Sequence, residues 1–254
     1  MAIKMISETA TEGSFEIEGL YSGYGLTIGT ALRRVLLSSL TGGAITQIKI
    51  KGVGHEFSTI PDVIEDVVEI TLNLKKIRFR MHDKEPQVLR LHKTGEGMAT
   101  GKDIETNASV EVITLDAHIA TLTSKSADFD VELTVEKGLG YVPLESRKLE
   151  KLAIGVIALD AIFTPVTKVN FTVENMRVED RTDYNKIRLF VETDGSVTPS
   201  GAVRKAGHIL EDHFKAISEM PHTEPTAYIS EKTVAEKTKV SKAKVARVKK
   251  PAKK

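Results

Sequence analysis

Cysteine is absent from the 254-residue chain, which excludes a disulfide scaffold, a thiol nucleophile and any thiolate-held metal. That composition fits a reducing cytosol. No run of about 18 or more apolar residues occurs anywhere, so a helix spanning a bilayer is excluded. Met1 to Ser14 holds no apolar stretch of the kind a secretory signal needs. A cytoplasmic protein without membrane contact is expected. Net charge is nearly absent as well, with 36 Lys+Arg against 35 Asp+Glu. A neutral sum argues against nucleic-acid binding only where the charge is evenly spread.

It is not evenly spread. Residues 224–254 carry ten Lys/Arg and three acids, a charge of +7, while residues 1–223 carry 26 Lys/Arg and 32 acids, a charge of −6. The tail is rich in Lys, Ala, Val and Thr and has Tyr228 as its one aromatic. Such a segment cannot bury enough apolar surface to offset the entropy of ordering, so residues 221–254 are expected to form a disordered basic tail. The globular body then ends near Met220-Pro221.

Strict alternation marks half-buried strands at Phe129-Val131-Leu133-Val135, Val169-Phe171-Val173 and Ile187-Leu189-Val191, with shorter ones at Phe15-Ile17 and Thr46-Ile48-Ile50. Three segments switch to helical spacing. The first runs over 26–40, with Ile28, Leu32, Val35, Leu36 and Leu40 in one stripe. The second runs from Pro61-Asp62 to Leu74 through Val63, Val67 and Ile70. The third opens at Thr198-Pro199, an N-cap followed by proline at the first helical position, and continues to Ile217. The class is α+β, without regular βαβ alternation. Residues 100–142 read as strands and turns only, the texture of a β-rich module inserted in a domain built from both ends of the body.

Tests for catalytic motifs fail. Gly23-Tyr-Gly25-Leu-Thr-Ile-Gly29 is one residue too long for the dinucleotide fingerprint and lacks the acid some twenty residues on; glycines in a tight strand-to-helix turn are the better account. Gly97-Met-Ala-Thr-Gly101-Lys102 lacks the first glycine and the magnesium-binding hydroxyl of a P-loop. His55-Glu56 opens a zinc-protease pattern, but Thr59 stands where the second histidine would be. His208 and His213 lie off a common helical face, and solvated or capping roles suit all seven histidines. Glu65-Asp66 falls on a polar helix face, where solvated charge is the default. No catalytic, cofactor-binding or metal-binding residues are expected in this chain.

The first predicted helix does stand out. Leu37 joins Leu32, Val35, Leu36 and Leu40 to make an apolar face wider than one sheet requires. Each such side chain gains about 1.5–3 kcal/mol on full burial. The face is either a fully buried core helix or is covered by a second protein. The third helix has a similarly broad stripe through Ile209, Leu210 and Phe214, and two such helices could form an isologous seam. Arg33 and Arg34 flank the stripe, where they either snorkel to solvent or reach a partner's oxygens in fork geometry.

Gly23-Tyr-Gly-Leu-Thr-Ile-Gly-Thr-Ala-Leu-Arg-Arg-Val-Leu-Leu-Ser-Ser-Leu40 resembles the first-helix signature of the bacterial RNA polymerase alpha subunit. The likeness continues at 55–61, 65–75, Gly140-Tyr-Val-Pro143, Asp160-Ala-Ile-Phe-Thr-Pro165, 173–178, 181–183 and 193–199, spanning roughly residues 14–218. The resemblance implies the amino-terminal fold of that subunit: a dimerisation domain from residues 1–43 and 164–220, and an inserted β-rich domain over 44–163. It implies a noncatalytic assembly subunit of DNA-directed RNA polymerase, a nucleotidyltransferase complex, that homodimerises and recruits the beta and beta-prime subunits. Carried over by motif position, the first helix contributes to the dimer and to the beta-binding surface; with the broad stripe of the third helix, this places Leu32, Val35, Leu36, Leu40, Ile209, Leu210 and Phe214 at the expected dimer interface. The resemblance assigns Arg33 and above all Arg34 to beta docking, and Lys75 and Leu159 to beta-prime docking.

Three departures bear on this transfer. The amino terminus is shorter than is usual in the family, and Leu139 replaces the usual arginine between glycines. A basic tail stands where a linker and a helical DNA-binding domain are usual. The tail could compensate through backbone contacts from Lys242, Lys244, Arg247, Lys249 and Lys250, driven by counterion release, or could be a solubilising extension. DNA is otherwise met through the complex, nucleoid-associated in the cytoplasm. A basic-tailed nucleic-acid-binding protein outside polymerase is the alternative, and the body's charge of −6 opposes it.

Overall fold

A computed structural model of the chain describes residues 2–146 and 153–220. In chain order the elements are β1 (Ala2–Glu8), β2 (Glu12–Leu20), α1 (Tyr24–Ser38), β3 (Thr41–Ile50), α2 (Val67–Leu74), β4 (Phe79–Met81), β5 (Gln87–Thr94) and β6 (Gly97–Thr100). They continue with β7 (Ile104–Glu105), β8 (Val110–Val112), β9 (His118–Leu122), β10 (Asp128–Leu139), β11 (Tyr141–Val142), β12 (Val156–Ala158) and β13 (Ala161–Ile162). Last come β14 (Val166–Val178), β15 (Arg181–Thr193) and α3 (Pro199–Ser218). The class is α+β. Backbone contacts divide the chain into one unit over Met1–His213 and a second from Phe214 onward.

Two sheets organise the first unit. The order β1-β2-β15-β14 joins the two ends of the body in an antiparallel sheet. Phe15 pairs with Leu189 and Ile17 with Ile187, so the alternation of β2 and β15 sends the same faces inward. Their buried side chains meet Leu32 and Leu36 of α1 and Ala202 and Ala206 of α3 in one core. The second sheet, β7-β5-β10-β3-β4-β8 with β12 on β3, buries Ile48, Phe79, Leu91, Val131 and Leu133 against Val67, Ile70 and Leu74 of α2. This second core draws only on residues between Ile45 and Leu159.

Local chemistry explains the helix limits. Thr198 Oγ1 accepts the Gly201 N–H at 3.3 Å and its carbonyl starts the α3 ladder, with Pro199 in the first turn. α1 stops at Ser38 rather than Leu40, where the Ser38 hydroxyl bonds back to the Arg34 carbonyl at 2.7 Å. The second helix is shorter than its apolar spacing predicts. It begins at Val67, because Asp66 caps it by accepting the Glu69 N–H at 2.7 Å. Asp62 ahead of it takes a left-handed φ of 62°, and Val63 bridges to Leu122. Residues 61–66 are thus a turn docked on β9, which periodicity cannot distinguish from a first helical turn.

Candidate functional site

α1 is held at its base by another element. Its N-cap, Gly23, has φ 84° and no side chain to offer. Asn185 of β15 supplies the missing acceptor: its Oδ1 takes the Gly23 N–H at 2.8 Å and the Gly25 N–H at 3.3 Å, while its Nδ2 donates to Asn175 at 3.1 Å. At Gly29 a Cβ would lie 2.5 Å from the Phe171 ring, so only glycine lets α1 approach β14 this closely. The glycine-rich segment is a strand-to-helix turn and a packing seat.

The wide apolar face of α1 is largely consumed inside the chain. Leu36 is 0% exposed, and Leu32 and Leu40 are buried in the same core. These three residues, expected at an interface between chains, line the protomer's own interior, because the stripe packs on β14 and β15 of the sheet. Val35, Ile209 and Leu210 are only partly buried against that core. Leu26 and Leu37 are exposed. In the second unit, Phe214 is 63% exposed and Ile217 is similarly open.

The paired arginines part company. The Arg33 guanidinium stacks 5.5 Å from the Phe171 ring centroid. Arg34 is exposed and makes no side-chain ion pair among the described residues. Of the two, Arg34 is the cation left available to a partner.

Lys75 sits directly after α2 as its C-cap, with its N–H on the Thr71 carbonyl at 3.0 Å. Its ammonium pairs with Asp160 Oδ1. Asp160 Oδ2 accepts the Tyr141 hydroxyl at 3.2 Å. The Lys75 hydrogen bond holds the Asp160 carboxyl below its ordinary range. Leu159, predicted beside Lys75 at a docking surface, points the other way. It is 4% exposed, packs in the second core and bonds the Thr46 carbonyl through its N–H at 2.9 Å. Alternation at this edge puts Asp160, not Leu159, on the outside.

Glu65 overturns a reading made from spacing. Expected as solvated charge on a polar helix face, it is 7% exposed. Its carboxylate accepts the Thr121 N–H at 2.6 Å and hydroxyl at 2.9 Å, and meets His118 Nε2 at 2.8 Å. These bonds pin the turn before α2 to β9. The only sequence signal was the glutamate's place in the 65–75 motif. Lys102, in the P-loop-like segment, pairs instead with Asp116 at 2.5 Å, and Thr100 and Asp103 form a capping box there. Among the described residues no group of three or more His, Asp and Glu could hold a metal, and no helix is long and apolar enough to cross a membrane. The tail positions Lys242, Lys244, Arg247, Lys249 and Lys250 lie outside the described residues, as does the expected disordered stretch 221–254.

Residues 48–164 match the family described as the RNA polymerase Rpb3/RpoA insert domain. The chain is 49% identical over 211 residues to the DNA-directed RNA polymerase subunit alpha of Symbiobacterium thermophilum, covering 83% of this chain and 67% of that one. It is 50% identical over 209 residues to the subunit of the same description from Alkaliphilus oremlandii, covering 82% and 66%. A third, from Carboxydothermus hydrogenoformans, is 51% identical over 203 residues, covering 80% and 64%. The matched region thus spans about two thirds of the length of these relatives.

Proposed function

We propose a function from one premise: the chain belongs to the bacterial DNA-directed RNA polymerase alpha-subunit family. It acts as a noncatalytic assembly subunit, a homodimer that recruits the beta and beta-prime subunits of a nucleotidyltransferase complex in the cytoplasm. The chemistry of nucleotide addition and its cofactors belongs to the large subunits. Residues 1–43 and 164–220 form the dimerisation part, and 44–163 form the insert. This division is supported by one core drawn from Phe15–Leu40 with Val166–Ala206 and another drawn from Ile45–Leu159. Val35, Ile209, Leu210 and Phe214 keep surface that a second copy would cover. Lys75 docks beta-prime, and the tail lysines contact nucleic-acid backbone without reading bases. A nucleic-acid-binding protein outside polymerase is not favoured.

The observation that carries beta docking is Arg34, exposed and without a side-chain ion pair among the described residues, on a helix whose start is clamped by Asn185. Fork-shaped guanidinium groups are over-represented among residues that dominate interface energy. Co-expression of Arg34→Ala or Arg33→Ala with the large subunits tests this. Arg34→Ala should reduce recovered alpha–beta complex by at least about tenfold, and Arg33→Ala by much less. An Arg34→Ala chain that assembles like wild type overturns the assignment.

A further inference from the structure

Side chains from three segments meet at the Asp160 carboxylate. Lys75 is fixed at the end of α2, whose Val67, Ile70 and Leu74 are wholly buried. Asp160 is fixed by its neighbours: Leu159 is locked in the core, and Ala161 and Ile162 pair with Val142 and Tyr141 across the β11–β13 ladder. The same ladder sets Tyr141 opposite Ile162, within reach of Asp160 Oδ2. The carboxylate therefore has two anchors, one on each oxygen. The Lys75 and Asp160 side chains are 23% and 34% exposed, open enough to be met from outside. An ammonium has three donors. Asp160 takes one, and no other acceptor for Lys75 is found among the described residues.

We propose that Asp160 is a positioning residue for docking: with Tyr141 as its second anchor, it holds Lys75 so that the two remaining ammonium N–H groups meet hydrogen-bond acceptors of the beta-prime subunit. The inference rests on the assignment of Lys75 to beta-prime docking. The pair is neutral in sum, so the partner needs no countercharge and can present backbone carbonyls or amide oxygens. The surroundings agree with such a partner, because Tyr141, bonded to Asp160, and Ile162, its partner across the ladder, expose apolar surface there. A lysine without Asp160 would sweep a wide volume on four rotatable bonds, and docking would then have to restrict it. Prior restraint removes that cost.

The test is assembly of full-length chains with beta, followed by titration of beta-prime, with the melting midpoint of each free alpha dimer measured in parallel. Lys75→Ala, Asp160→Asn, Asp160→Glu and the double variant Lys75→Ala/Asp160→Asn are compared with wild type. Asp160→Asn should weaken beta-prime binding about tenfold or more, while the melting midpoint falls only slightly, as expected on losing a partly exposed ion pair. Asp160→Glu should regain part of the loss. The double variant should be no weaker than Lys75→Ala alone, because the two residues act as one unit. If Lys75→Ala binds beta-prime like wild type, the docking assignment itself fails and the positioning role fails with it. If Lys75→Ala is weak but Asp160→Asn is normal, or the two losses add, only the positioning role fails. A binding loss at Asp160→Asn that comes with a large fall in the melting midpoint, or that disappears once binding is measured well below that midpoint, also overturns it, as that would be fold support alone.

Discussion

Glu65 shows how one residue can be misread locally and still be intelligible once its neighbours are known. Burial alone would raise its pKa, but the Thr121 N–H, His118 and the Thr121 hydroxyl together hold it below the ordinary 4.5. A carboxyl whose folded pKa is depressed stabilises the protein above its unfolded value, and that contribution is lost as pH falls through the folded one. Glu65→Gln should therefore cost about 1–3 kcal/mol near neutral pH, by leaving buried donors poorly matched. The difference from wild type should shrink once pH falls well below 4.5. Urea unfolding at neutral and strongly acidic pH measures both. Arg34 and Lys75 were legible as charges from their motifs. That Arg33 would be spent on Phe171, and that Lys75 would be shared with Asp160, was not, since their partners lie 138 and 85 positions away.

α1 owes its placement to another element as much as to its own residues. Its apolar stripe predicted a helix over 26–40 and the structure has one over Tyr24–Ser38, because period and burial agree along its length. Its start depends on Asn185, which caps two N–H groups that Gly23 cannot. Asn185→Ala should cost about 0.5–2 kcal/mol, the range for losing an N-cap, seen as a lower urea midpoint with unchanged slope. Because the start of α1 orients Arg34, the same variant should also weaken beta binding. α2 was less legible. Its apolar residues keep helical spacing back to Val63, yet Asp66 and the captured Glu65 end the helix at Val67. A capping side chain one residue from a strong tertiary bond outweighs a marginal extra turn.

For the whole molecule, the proposed homodimer predicts a particle of twice 27.8 kDa at micromolar concentration. Phe214→Glu should raise its dissociation constant by at least about tenfold, since it puts a charge on an exposed aromatic expected to anchor the seam. Sedimentation equilibrium reads the change directly, and an unchanged constant places the seam elsewhere. The α+β class, the strands at 129–135, 169–173 and 187–191, the three helices and the family signature were all legible from order and spacing, because alternation, helical period and capping are properties of neighbouring residues. The opposed charges of body and tail were equally plain from composition. Which apolar side chains of α1 are consumed inside the protomer, why Leu159 faces the core while Asp160 faces out, and how Glu65 is buried were settled only by the fold. Each depends on strand register and on contacts between segments tens of residues apart, and local pattern carries no record of which distant surface will arrive to cover a given face.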